Sequence, residues 1–307
     1  MNKKKLFPVM FHHFHDGKKF KASQGSITSY HLEKMIKLIG VKNIINAGDY
    51  IENTKNKEMK NKQICFTFDD ALKCQYKIAY PVLKKYNIKA FWFIYTSIFT
   101  KKPSMLEIYR EFRNSFFENI DSFYKLFFNQ TRHIKFNKVR LNNFINDYSV
   151  KYPFYSKNDL KFRFLRDHIL KNQYDKIMIE MMKKKKISIF KISKNLFINK
   201  KELKKLNDDG QIIGLHSHSH PTNLKSLNKK ESINDYKKNI KLLEKIINKK
   251  IISMSHPCGN YNQEILNFLH KKKIQVGFAS SSRLDQKLTK FKNLVIPRTD
   301  HTSIIIK

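Results

Sequence analysis

The sequence is poor in cysteine, glycine, proline and acidic residues. Its 3 cysteines, Cys65, Cys74 and Cys258, have no paired spacing, which argues against a disulfide scaffold and a cysteine zinc site. The 8 glycines and 7 prolines in 307 residues exclude collagen-like and linker-dominated chains. Because hydrophobic residues make up 41% of the chain and aromatic residues 13%, it can bury a substantial core and is not a disordered protein.

The scarcity of acidic residues leaves a large positive charge. The chain has 25 Asp and Glu against 62 Lys and Arg, a net charge of +37. A charge of this size could serve to bind nucleic acid, anionic lipid or an acidic glycan. The basic residues are spread along the whole chain and Asn is abundant, so we favour a genome bias towards Lys, Asn and Ile. Zinc-finger spacing, RNP-like motifs and a confined basic stretch are absent, and we expect no specific nucleic-acid partner.

Long hydrophobic runs are also absent. The apolar stretch at residues 6–11 follows three lysines but ends at His12 and His13. It is shorter than the roughly 7–15 apolar residues of a signal peptide, and no run approaches the roughly 20 of a membrane span. We therefore expect a cytoplasmic protein, and the sequence leaves its oligomeric state open.

Short apolar runs alternate with helical patterns at both ends of the chain. Strands are predicted at residues 6–11, 63–68, 89–95, 211–215, 251–254, 276–279 and 294–296. Helices are predicted at residues 28–39, 75–86, 201–208 and 232–248. Strand, helix and strand at short spacing form a βαβ unit with a parallel sheet. Repeated units of this kind, with one break, predict a barrel whose active site lies at the carboxyl ends of the strands.

The break is a Phe- and Lys-rich segment of helical periodicity. Candidate helices lie at residues 107–117, 120–129, 139–148, 159–170 and 173–184. The sequence thus predicts a first barrel segment (1–100), a helical insertion (101–200) and a second barrel segment (201–307). The insertion is either a packed helical cap or a surface that contacts an anionic membrane, and we favour the cap.

Polar residues come directly after the carboxyl ends of several predicted strands. These tails are His12-His13, Asp69-Asp70, the segment 216–220, the segment 255–259 and Arg298-Thr299-Asp300. On one parallel sheet, five such tails would converge on one pocket. A carboxylate with two histidines suits a zinc-like ion with open positions, and His216 and His220 at i and i+4 can reach one ion. Of two adjacent aspartates, one can bind metal while the other acts as a base. The competing interpretations are a solvated histidine-rich turn and a helix N-cap at one aspartate.

Two of these motifs resemble those of a known family. Residues 66–70, Phe-Thr-Phe-Asp-Asp, and 216–220, His-Ser-His-Ser-His, resemble the TFDD and H-[ST]-x-x-H motifs of polysaccharide deacetylases, carbohydrate esterase family 4 with the NodB-homology fold. The resemblance covers about residues 6–100 and 200–300. It implies an α/β protein, a distorted (β/α) barrel of the polysaccharide deacetylase type, here with a large helical insertion. It also implies metal-assisted hydrolysis of the N-acetyl group of an amino sugar.

The resemblance assigns roles to individual residues. It makes Asp70, His216 and His220 the metal ligands and Asp69 the catalytic base. The backbone N–H of Cys258, in Pro257-Cys258-Gly259, would help to form the oxyanion hole. Tyr261, His13 and His218 would contact substrate.

The chain departs from the family pattern at two places. Ser255 and His256 stand where the family has an arginine, and Arg298 could orient Asp69 instead. The late Leu-x-x-His acid motif is missing. Residues 9–12, Val-Met-Phe-His, resemble the first-strand motif of members that carry the acid there, which makes His12 the general acid, with His13 and His15 as fallbacks.

The expected substrate is an N-acetylated sugar or glycan, such as a soluble or lipid-linked precursor of a surface polysaccharide. The expected cofactor is a divalent metal, with Zn²⁺ as the default and Co²⁺, Ni²⁺ or Fe²⁺ as alternatives. Two other functions remain open: an inactive deacetylase fold that binds glycans, and a hydrolase that removes another acyl group, such as formyl. A basic nucleic-acid-binding protein ranks below both.

Overall fold

The computed structural model describes residues 7–151, 155–221, 227–280 and 289–304. Residues 1–6, which carry the start of the first predicted strand, lie outside this description. The chain divides into two compact units, one formed by Met1–Ser104 with Lys194–Lys307 and the other by Met105–Ser193. Among the described residues, no helix combines the length and apolar character needed to cross a membrane.

The first unit is built on a curled parallel sheet. Its strands are β1 (Val9–Phe11), β2 (Phe66–Phe68), β3 (Phe91–Ile94), β4 (Ile212–Leu215), β5 (Ser253–Ser255), β6 (Val276–Phe278) and β7 (Thr299–Asp300). Their order in the sheet is β6-β5-β4-β3-β2-β1-β7, and every pair is parallel. Strands buried on both faces need continuous apolar runs, which is why β2 and β3 consist almost entirely of buried aromatic residues. The predicted distorted (β/α) barrel is confirmed.

Helices connect the strands and fill the second unit. They are α1 (Ser29–Ile39), α2 (Ala47–Asn56), α3 (Tyr80–Lys85), α4 (Leu106–Ser115), α5 (Ile120–Gln130), α6 (Lys138–Lys151), α7 (Lys157–Phe164), α8 (Gln173–Lys184), α9 (Ile189–Leu196), α10 (Lys200–Asp208), α11 (Lys229–Ile247) and α12 (Gln263–Lys271). In the second unit, the Phe162 ring packs edge-on against Phe123 and Phe127 at centroid distances of 5.5 and 4.9 Å. Phenylalanine rings thus form part of the core of this unit, beside buried Leu and Met side chains.

Three helices were not predicted: α2, α9 and α12. For α12 a signal was present, because the Asn262 side chain accepts the Ile265 N–H at 2.9 Å and Glu264 lies in the first turn. The predicted helix at 75–86 is a π-helical turn over Gln75–Ala79 followed by α3. Pro81 lies in the first turn of α3, directly after the π-helical turn, so its missing N–H falls where the helix changes its hydrogen-bonding pattern.

The predicted strand at 294–296 is wrong. Ile296 forms only an isolated bridge to Phe278, with its N–H donating to the Gly277 carbonyl at 2.8 Å. Pro297 has no N–H with which to continue a ladder. Two residues later Thr299 donates to the Pro8 carbonyl at 2.9 Å, and the chain joins β1 as β7. Residues 296–299 therefore link the β6 edge of the sheet to the β1 side, and Arg298 lies at this crossing rather than after a strand.

Candidate metal centre

The carboxyl ends of three parallel strands carry the candidate site. His12 follows β1, Asp69 and Asp70 follow β2, and His216 follows β4. Nε2 of His216 lies 3.4 Å from Oδ1 of Asp70, and Nε2 of His220 lies 3.2 Å from the same oxygen. One ligand atom from each of these three buried residues lies within 4.8 Å of the other two. The structure therefore brings together the three residues expected to bind metal.

The hydrogen bonds of this triad fit a divalent metal ion. Nδ1 of His216 donates to the Ser255 carbonyl at 2.9 Å, which leaves a lone pair on Nε2 when the ring is neutral. That lone pair faces Oδ1 of Asp70, a buried oxygen that accepts no hydrogen bond of regular geometry. Two hydrogen-bond acceptors that face one another at this distance repel each other unless a cation lies between them. One carboxylate and two imidazoles are a donor set that zinc and related ions accept.

Two of the three candidate ligands have a left-handed backbone conformation, which is uncommon for residues other than glycine. Asp70 has φ 74°, and in the loop between the histidines Ser217 has φ 59° and His220 has φ 51°. The i, i+4 spacing is thus realised in a tight loop and not on a helix. Left-handed conformations at non-glycine residues cost of order 1–3 kcal/mol each and persist where the surroundings enforce them.

Helix α11 supplies much of that enforcement. Asp235 accepts the N–H groups of His218 and Ser219 at 2.8 and 3.1 Å. One turn on, Asn239 accepts the His216 N–H at 3.1 Å and donates to the Ile94 carbonyl at 2.9 Å. Sequence reasoning missed both residues. Asn239 did carry a signal, since it is a polar residue at helical spacing on the buried face that holds Tyr236, Leu243 and Ile247.

Asp69 is held by a buried arginine. Nη1 and Nη2 of Arg298 donate to its two carboxylate oxygens at 2.8 and 2.7 Å. The Ser255 hydroxyl accepts from Nη2 at 2.8 Å and donates to Asp69 at 3.2 Å. Burial alone would raise the pKa of Asp69, but the Arg298 guanidinium, with His216 and His12, outweighs it and the pKa lies below its usual range. Asp69 is therefore ionised at neutral pH and fixed in orientation.

His12 faces both aspartates from the end of β1. Its Nε2 lies 4.0 Å from Oδ2 of Asp69 and 3.9 Å from Oδ2 of Asp70, and its side chain is 30% exposed. The buried Gln75 amide donates to the carbonyls of His12 and Asp69 at 2.8 and 2.6 Å, which ties the two strand ends together. Gln75 is a further residue that sequence reasoning missed, and no local pattern distinguishes it.

The other predicted residues are spread around this centre. His218 turns away from the triad, and its Nδ1 shares a hydrogen bond of 2.8 Å with the Thr96 hydroxyl. Cys258 is exposed and has φ 51° in the turn Pro257–Gly259, and the Tyr261 ring packs on His256 with centroids 4.9 Å apart. His13 and His15 are half-buried, and Nδ1 of His15 bonds the Ser26 hydroxyl at 2.8 Å. Their roles in binding or catalysis stay predictions.

His256 is a buried histidine outside the triad. Its Nε2 donates to the Leu294 carbonyl at 2.8 Å. Burial lowers its pKa to about 3, so the ring stays neutral in the folded protein at neutral and mildly acidic pH.

This burial predicts a loss of stability in acid. As pH falls through about 6.5, the unfolded chain protonates His256 while the folded chain does not, so unfolding becomes easier. By pH 5.5 this single group lowers the free energy of unfolding by about 1.4 kcal/mol relative to pH 7.5. In urea titrations, His256→Phe should therefore lose about that much less stability than the wild type between these two pH values. An equal loss in both proteins would contradict a neutral His256.

Comparisons with known proteins agree with this fold. The sequence matches the family model of polysaccharide deacetylases at residues 56–115 and 167–277, more than half of the chain, whereas no curated protein matches. The structure resembles a de-N-acetylase from Aggregatibacter actinomycetemcomitans, with TM-score 0.54, 13% identity, and 97% of each chain covered. It also resembles IcaB from Ammonifex degensii, with TM-score 0.53, 12% identity, and 97% of this chain and 92% of that one covered. For the Streptococcus pyogenes deacetylase PplD in complex with acetate, the TM-score is 0.51, the identity 16%, and the coverage 96% and 91%.

Proposed function

The chain belongs to the polysaccharide deacetylase family, and we propose that it is a metal-dependent N-deacetylase acting on an amino sugar of a glycan or glycan precursor. The observation that carries the proposal is the triad of Asp70, His216 and His220 next to Asp69, an ionised carboxylate held by Arg298. A metal site beside a fixed base is one arrangement that can hydrolyse an unactivated amide.

Each protein group has a step in this reaction. A divalent ion on the triad, by default Zn²⁺, would polarise the acetamido carbonyl and acidify water. Asp69 accepts the proton of the attacking water, and the Cys258 N–H donates to the oxyanion that develops on the carbonyl. His12 protonates the departing nitrogen. The products are a free amino sugar and acetate, the molecule bound in the PplD structure.

The substrate we favour is a soluble or lipid-linked precursor of a surface polysaccharide. This choice depends on the sequence expectation of a cytoplasmic protein, because exported polymers are not available there. Tyr261, His13 and His218 are the residues that we propose to contact the sugar, with His218 in a loop fixed by Asp235.

The experiment that tests the function is acetate release by the purified, metal-loaded chain. The panel contains N-acetylated glycan oligomers, nucleotide-activated and lipid-linked N-acetylated sugars, and an N-formyl analogue. Acetate release from any member supports the proposal, and release of formate alone would assign a different acyl group. Glycan binding without any acyl release would instead favour an inactive, glycan-binding fold.

A further inference from the structure

The second unit contains a cluster of arginines that the proposed reaction does not use. Only 8 of the 62 basic residues of the chain are arginines. Four of these eight form the cluster. Arg110 and Arg113 lie on α4, Arg163 lies on α7, and Arg166 follows it directly. Where lysine supplies nearly all the positive charge, arginines gathered at one place indicate a need for the guanidinium itself.

Aromatic rings hold these guanidinium groups in place. Arg113 and Arg166 lie over the same ring, with their guanidinium carbons 5.0 and 5.7 Å from the centroid of Phe162. Arg163 lies 4.0 Å from the centroid of Tyr155. Arg166 also forms a bidentate pair with Asp167, at 2.6 and 2.8 Å. Aromatic rings therefore help to place three guanidiniums, and for Arg113 and Arg163 this contact uses none of the N–H donors.

Two of the arginines are partly buried and have a buried Nε without a hydrogen-bonding partner among the described residues. Nε of Arg113 and Nε of Arg163 are buried and bond to none of the described residues, and neither side chain forms an ion pair with a described carboxylate. Burial lowers the pKa of Arg113, and the neighbouring charges of Arg110 and Arg163 lower it further, against the opposite influence of Tyr124 and Tyr174. Unpaired buried charge is unfavourable, and an anion would remove that cost.

We propose that Arg113 and Arg163, together with Arg110 and Arg166, form a binding site for the phosphate group of a ligand. Planar guanidinium forks match phosphate oxygens in pairs, which lysine cannot do, and the excess of positive charge suits a dianion better than a carboxylate. The phosphate belongs either to a soluble phosphorylated compound or to a lipid headgroup. The site lies wholly within Met105–Ser193 and does not depend on the proposed deacetylase activity.

The test is binding of inorganic pyrophosphate to the full-length chain, measured by calorimetry at fixed, near-physiological salt. We expect Arg113→Gln and Arg163→Gln each to weaken binding about tenfold or more. Arg140→Gln is the matched control, because Arg140 is an exposed arginine of the same unit and its loss removes the same charge. It should change the affinity less than twofold. Arg113→Lys keeps the charge but removes the planar guanidinium, so it should also weaken binding. The thermal unfolding midpoint of each variant checks that it is folded.

A second arm identifies the source of the phosphate. The same variants are mixed with vesicles of phosphatidic acid and phosphatidylcholine and sedimented. Loss of pyrophosphate binding in the Arg113 and Arg163 variants supports the site and a soluble ligand, and loss of vesicle binding alone supports the site and a lipid. Equal weakening by Arg140→Gln would reduce the effect to bulk charge and overturn the proposal. Absence of binding to both probes would overturn it as well.

Discussion

The double variant Asp70→Ala, His216→Ala is expected to lose its bound metal and, with it, all measurable acetate release. The change removes the carboxylate and one of the two imidazoles that surround the candidate metal position, leaving only His220. A single neutral imidazole does not hold a divalent ion at stoichiometric occupancy. Metal content by mass spectrometry and acetate release, measured on the same samples, check the prediction.

The matched control for this variant is Asp208→Ala, His133→Ala. Both residues are exposed, so the same two residue types are removed away from the site. The control should keep the metal and the activity of the wild type. Stoichiometric metal in Asp70→Ala, His216→Ala, or metal loss without any loss of acetate release, would contradict the assignment of the triad.

The variant Asp69→Asn should keep its metal and lose acetate release by roughly a thousandfold, within the range expected for removal of a general base. Asparagine preserves the shape of the side chain, but its amide cannot accept the proton of the attacking water. It also leaves the buried Arg298 without a carboxylate, and breaking a buried pair costs about 3–5 kcal/mol. The unfolding midpoint must therefore be recorded beside the rate, to separate lost chemistry from lost folding.

Ser255→Ala is the natural comparison for Asp69→Asn. It removes one hydrogen bond to Asp69 but leaves the base and both bonds from Arg298 in place. We expect less than a tenfold loss of rate. If Asp69→Asn retained more than a tenth of the wild-type rate while folded, Asp69 would not be the base, and if it lost the metal, Asp69 would be a ligand.

The fold and the meeting of the candidate metal ligands could be predicted because local patterns encode them. Buried parallel strands must be continuous apolar runs, and the residues that end them meet at one edge of the sheet. Asp69, Asp70 and His216 follow such runs directly, so their positions follow from the strands. The identity of a metal ion and of a sugar substrate has no comparable local signal.

The residues that support the site could not be predicted in the same way. Gln75 acts through hydrogen bonds to backbone groups that leave no periodic pattern. Asn239 is recognisable as a polar residue on the buried face of α11, but the helical pattern does not show which backbone groups it bonds. The last strand was misplaced for a related reason. A two-residue strand such as β7 is too short to show a hydrophobic period, and only its pairing with β1 defines it.

The crossing at Arg298 has a consequence for the order of folding. The ion pair with Asp69 joins residues 229 positions apart, so it forms only after most of the chain between them has been arranged. Until then Asp69 would be a buried charge without its guanidinium, which penalises any compact intermediate that lacks the final strand. Closure of the sheet and formation of the Asp69–Arg298 ion pair are therefore one cooperative event. During refolding, activity should return with the slowest phase and not before it.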